Sequence, residues 1–137
     1  MKRFIKNEMV YSDRIRIKPV ILAQGEINGI EFVILNEGKY PVSYIKVIEG
    51  SKWSNGEIGG VSLHGGPNEI TSLKANLKLK GKYAKFPYYS ISRGDYVGGN
   101  STTYNGKKWT TEELLDELLD LIVDILNNKR EYYFKND

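Results

Sequence analysis

The chain has 137 residues, a formal net charge of +3 and no cysteine. That length suits one domain with its own core, and the missing thiols exclude disulfide scaffolds, thiolate metal sites and cysteine nucleophiles. Its 40% hydrophobic and 27% charged residues make a globular composition, with no apolar run near the roughly 18 residues of a membrane span.

The opening segment, Met1 to Glu8, is basic but has no apolar h-region, so no secretory signal is expected. Arg14-Ile15-Arg16-Ile17-Lys18 alternates with period two and reads as a strand. Pro19 interrupts it, as at an edge or bulge, before Val20-Ile21-Leu22-Ala23 continues. Asn28-Gly29 is a type I′ hairpin signal joining the run that ends at Ile27 to Ile30–Leu35. Asn36-Glu37-Gly38-Lys39 is the next turn. Val42–Ile48 is a further strand, with Tyr44 and Lys46 on one face and Ile45 and Val47 on the other.

Residues 50–60 form a Gly-, Ser- and Asn-rich loop carrying Trp53. Val61–His64 reads as a short strand ended by Gly65-Gly66-Pro67. Ser72–Lys80 alternates as a strand, with a helix as its alternative, and Phe86–Ser92 reads as one more strand. Gly94, Gly98, Gly99, Asn100 and Gly106 mark a long loop.

Thr110-Thr111-Glu112-Glu113 is a capping box with Thr110 as N-cap, opening a helix over 111–127. Its leucines, isoleucines and valine span roughly 200° of the helix, where a helix laid on one sheet needs about 100°. Either the helix is wrapped by the chain's own sheet and termini, or it also packs against a second copy; the second is the expectation, a homo-oligomer through the 111–127 helix. The apolar tail Glu131-Tyr132-Tyr133-Phe134 reads as a further docking segment. The elements add up to a single α+β domain over 1–137, an antiparallel β-sheet meander packed by one principal C-terminal amphipathic helix.

Charge is unevenly spread. Residues 110–126 hold six acids and no Lys or Arg, whereas residues 1–109 carry a balance of +8. Residues 74–108 hold eight basic residues and one acid, Asp95, interleaved with six of the chain's aromatic residues. Cations among rings suit an anionic, ring-containing partner, because phosphates meet Lys and Arg while bases stack on aromatic faces.

His64-Gly65-Gly66 is one candidate site, since glycines let backbone N–H groups approach an anion closely. Its alternative is a tight turn with an incidental histidine. Arg93-Gly94-Asp95 is another, with Arg93 as the phosphate clamp or, alternatively, the structural partner of Asp95. No Walker A pattern and no Rossmann glycine fingerprint is present. No serine lies in a nucleophile elbow. The one enzyme-like set is His64 with Asp95 and Tyr88 or Tyr89, and nothing in the sequence places those residues together.

The order of Tyr44-Ile45-Lys46-Val47, Gly50, His64-Gly65-Gly66, Gly94-Asp95 and Trp109-Thr110-Thr111-Glu112-Glu113 resembles a group of small tailed-phage and prophage proteins over roughly residues 40–127. The chain departs from their pattern in two places. Pro87-Tyr88-Tyr89 stands where they carry glycine-aromatic-Asp, and Ser92 stands where they carry a second histidine. Those losses favour a binder over an enzyme. The resemblance implies a phage context and the cytoplasm of a bacterial host.

The expectation is therefore a ligand-binding protein that sequesters a small anionic nucleotide-like molecule, an anti-defence sponge. Its site would draw on His64, Gly65, Gly66, Arg93, Asp95, Tyr44, Lys46, Tyr88 and Tyr89, with no catalytic residue, no metal and no cofactor. The alternatives are a module that binds nucleic acid or a host protein, and a hydrolase of a nucleotide substrate. No membrane partner is expected.

Overall fold

The computed structural model describes residues 4–12, 14–57, 63, 67–73, 77–88 and 108–128. Five antiparallel strands form one sheet: β1 (Val20–Ile27), β2 (Ile30–Asn36), β3 (Pro41–Lys46), β4 (Glu69–Ser72) and β5 (Lys82–Pro87). They lie in the order β1-β2-β3-β5-β4, so the chain leaves the β1–β3 meander, crosses to the far edge and returns between. One helix, α1 (Thr111–Asn128), packs on the inner face, and the fold class is α+β.

Local chemistry explains the turns. Asn28 and Gly29 both take positive φ, 47° and 90°, as a type I′ hairpin requires. The Asn36 side chain closes the next turn by accepting from the Gly38 N–H at 2.8 Å. Gly38 itself has φ 109°, and a Cβ there would collide with the Arg14 carbonyl oxygen.

The sheet buries both faces. Inside, Phe32, Ile34, Ile45 and Phe86 meet Leu114, Leu118 and Ile122 of α1. Outside, Val33, Leu35, Val42, Tyr44 and Tyr83 form a second cluster, covered in part by Leu73, Leu77 and Leu79.

Three strand expectations shift. Residues 14–18 form no strand, because the segment crosses the β2–β3 turn and bonds its backbone to that turn instead of to a strand. There the Ser12 N–H donates to the Gly38 carbonyl at 2.9 Å and the Arg16 N–H to the Glu37 carbonyl at 2.8 Å. Within 72–80, pairing ends at Ser72, and residues 77–81 turn at Lys78 (φ 56°) and Gly81 (φ 94°). The leucine alternation there serves the outer cluster rather than a ladder. The strand expected at 86–92 begins earlier, at Lys82, and β5 runs to Pro87, while residues 89–92 lie outside the described residues. Of Val61–His64 only Leu63 is described, and it packs on the inner core. The long glycine loop and the apolar tail lie outside the described residues.

The helix begins as its capping box dictates. The Thr110 N–H donates to Glu113 Oε1 at 3.0 Å, and the Glu113 N–H donates to Thr110 Oγ1 at 3.2 Å. The amino-terminal strap then ties this end down. The Thr111 N–H donates to Glu8 Oε1 at 3.1 Å, Thr111 Oγ1 to the Asn7 carbonyl at 2.8 Å, and the Trp109 N–H to the Tyr11 hydroxyl at 2.8 Å. A carboxylate at a helix N-terminus also meets the positive end of the helix dipole. Earlier in the strap, the Lys6 N–H bonds the Leu22 carbonyl and the Gln24 N–H bonds the Phe4 carbonyl, so the outer edge of β1 is covered.

Most of the wide apolar arc of α1 is covered within the chain. Leu114, Leu115, Leu118, Leu121, Ile122 and Ile125 are buried, and Leu119 and Leu126 pack half-buried against the core. Val123 alone among the described helix residues is an exposed large hydrophobic side chain, at 46%. The arc therefore does not by itself require a second copy.

Thr110→Ala is expected to cost about 1 kcal/mol, read as a lower urea midpoint at unchanged slope. Gly25 faces the Phe4 ring so closely that a Cβ would overlap it. Gly25→Ala should cost about 1–3 kcal/mol in the parent chain and much less in a Phe4→Ala background, as a double-mutant cycle would show.

Candidate functional site

A cleft of about 680 Å³ opens at the end of β3 away from the β2–β3 turn. That volume lies in the range of small-molecule sites. It is lined by Lys46 and Val47 at the end of β3, by Gly81 and Lys82 at the start of β5, and by Glu49, Gly50, Ser54 and Asn55 of the loop that follows β3.

The loop side is built firmly. Trp53 is wholly buried, with its ring 6.2 Å from that of Phe86, and it anchors a single 3-10 turn over Trp53–Asn55. Buried Ser51 donates from Oγ to the Ile48 carbonyl at 2.6 Å and accepts from the Ser54 N–H at 3.3 Å. Ser54 Oγ returns a bond to the Ser51 carbonyl. Gly50 (φ 88°) and Gly56 (φ 85°) supply the left-handed turns that enter and leave the segment.

The strand side depends on Gly81. Its φ of 94° suits glycine, and a Cβ there would sit 3.0 Å from Lys46 Cε. Gly81 thus lets the Lys46 side chain pass and reach the cleft. Lys46 Nζ lies 3.1 Å from Glu31 Oε2 on the neighbouring strand. The hydrogen bond to Glu31 holds the ammonium above the usual lysine value, against a smaller effect of burial. Lys82 is exposed at the rim and has no ion-pair partner among the described residues. The lining carries two ammonium groups against one carboxylate, Glu49. This arrangement suits a small anion of limited charge, with backbone and hydroxyl groups beside it.

Of the residues singled out from sequence, Lys46 lines this cleft. Tyr44 lies on the same sheet face but is buried, and its hydroxyl donates to Glu37 Oε2 at 2.8 Å, toward the opposite end of β3. Tyr88 lies against the other sheet face and is 1% exposed. Its hydroxyl is 2.9 Å from Ser43 Oγ and 3.3 Å from the Leu114 carbonyl, and its ring packs 6.3 Å from that of Trp109. The rings of Tyr44 and Tyr88 are thus packed into separate clusters on the two sides of the sheet, and neither offers a free face for stacking. His64, Gly65, Gly66, Tyr89, Arg93 and Asp95 lie outside the described residues. Among the described residues no group of His, Asp and Glu is arranged to hold a metal ion, and no helix is long and apolar enough to cross a membrane.

Gly81 and Lys82 were not singled out from the sequence. The available signal was a lone glycine between two lysines, which marks a break in a strand pattern. Comparison with family models, with curated proteins and with solved structures returns no match for the chain.

Burial holds the Tyr88 phenol well above the usual tyrosine value of 10.0, only partly opposed by the Ser43 hydrogen bond. Burial, then the Glu37 carboxylate, raises Tyr44 in the same direction. With folded values above the unfolded one, the stability these phenols contribute is complete below about pH 10 and is lost as pH rises beyond it. Denaturation at a series of alkaline pH values should show that fall, and Tyr88→Phe should make it shallower. At neutral pH the same substitution leaves the buried Ser43 hydroxyl without its partner and should cost about 1–3 kcal/mol.

Proposed function

We propose that the protein binds and sequesters a small anionic, nucleotide-like molecule in the cleft between the 3-10 turn and the start of β5. The observation that carries this reading is the cleft's lining. Lys46 and Lys82 line a space of about 680 Å³ together with Gly50, Gly81, Ser54 and Asn55, against one carboxylate, Glu49, and one apolar side chain, Val47. Glycines permit close approach of a phosphate to the backbone, and lysine is a common phosphate binder as a point charge.

Binding without turnover is the favoured form. No described group near the cleft combines a nucleophile with a positioned base, and the pattern departures at Pro87-Tyr88-Tyr89 and Ser92 point the same way. In the phage setting that the resemblance implies, capture of a nucleotide-derived immune signal would protect the phage from the host.

The test is a thermal-shift screen against mono-, di- and cyclic nucleotides and ADP-ribose derivatives. Each ligand that shifts the transition is then recovered by heating and identified by chromatography. Ligand at about 100 times its dissociation constant should stabilise by about 2.7 kcal/mol. Lys46→Ala combined with Lys82→Ala should weaken binding at least about tenfold, corresponding to about 1.4 kcal/mol. Intact recovery supports sequestration, altered recovery establishes an enzyme, and no shift with any nucleotide overturns the reading.

A further inference from the structure

The strap and the helix expose complementary surfaces. Along the strap, Arg14, Ile15, Arg16, Ile17 and Lys18 are all exposed, with Ile15 at 68% and Ile17 at 87%. Val10, just upstream, is 62% exposed. Arg14, Arg16 and Lys18 have no ion-pair partner among the described residues. Three cations alternating with two solvent-facing isoleucines make a costly surface for a lone chain to present.

On α1 the opposite pattern appears. Glu112, Asp116 and Asp120 are exposed and likewise have no ion-pair partner among the described residues. They recur every four residues, and the projection at about 100° per residue puts them within an arc of roughly 80°. Val123, the exposed apolar residue of the helix, falls inside that arc.

The spacings agree. Acids four apart on a helix are about 6 Å apart along its axis. Alternate residues of an extended segment are separated by at most about 7 Å. Three cations on one surface can therefore reach three carboxylates on the other.

We infer that the 14–18 ribbon of one copy docks on the Glu112–Asp116–Asp120 stripe of a second copy. The contact is independent of the nucleotide reading. It also differs from an association through the apolar arc of the helix, which the chain itself mostly covers. Each exposed pair contributes little alone, so the contact needs the set and weakens as salt screens it.

The test is sedimentation velocity of the full chain over a concentration series, at low salt and at about 1 M, where the Debye length falls to about 3 Å. Association at low salt that weakens at high salt is expected. A ribbon variant, Arg14→Glu with Arg16→Glu, should self-associate at least about tenfold more weakly, and so should a stripe variant, Asp116→Lys with Asp120→Lys. In the ribbon variant the reversed acids face a wild-type acidic stripe, and in the stripe variant cations face cations. Mixing the two pairs reversed ribbon with reversed stripe and should restore association. All the substituted residues are exposed, so folding is expected to survive, and circular dichroism checks it. A chain that stays monomeric at every concentration at low salt overturns the inference. So does association indifferent to both variants, or variants whose mixture stays monomeric.

Discussion

The structure depends on how the first turn of α1 is held. Seven inner-face side chains from three strands and the helix meet only if that helix lies across the sheet at a fixed place. The capping box alone would start the helix but would not position it. The strap does so, through Glu8 and Asn7 at Thr111 and through Tyr11 at Trp109. Tyr88 adds a bond to the Leu114 carbonyl from beneath. The same strap lies along β1, so one segment covers a sheet edge and seats the helix.

A sheet covered on one face by a helix often leaves its other face to water. Here the outer face carries its own apolar cluster around Val33, Leu35, Val42 and Tyr44. That arrangement decides what is free to bind. It takes the Tyr44 ring into the interior and directs its hydroxyl to Glu37. Beside that cluster, at the end row of the sheet, Glu26, Glu31 and Lys46 lie side by side across β1, β2 and β3. The cleft opens at this end because Lys46 projects from the last position of β3 past a glycine. The β2–β3 turn and the ribbon that crosses it occupy the opposite end.

Much of the architecture was legible in the chain. Asn28-Gly29, the alternation of 42–47 and the Thr110–Glu113 box each encode their structure within a few residues, and each appears where expected. The segment at 14–18 alternates as clearly, yet forms no strand, since its partner is a turn that only the folded chain brings near. Tyr44 and Tyr88 show the same limit in the candidate site. A tyrosine on a strand looks alike whether its ring meets solvent or a second cluster, and the outer cluster is assembled from leucines some thirty residues away in sequence. The face from which Lys46 projects was legible because strand parity fixes it. Its route past Gly81 was not, because it depends on a positive φ thirty-five residues later.

The central claim is that the cleft beside Lys46 and Lys82 takes a small anionic nucleotide-like ligand. Titrating ADP, as a probe carrying both phosphate and base, into the ¹⁵N-labelled protein tests it residue by residue. The account predicts saturable shifts concentrated at the Lys46, Gly50, Ser54, Gly81 and Lys82 amides, with the Tyr88 and Leu114 amides unmoved. Shifts confined to residues away from the cleft, or a spectrum unchanged at millimolar ADP and equally unchanged with cyclic nucleotides and ADP-ribose, would contradict it.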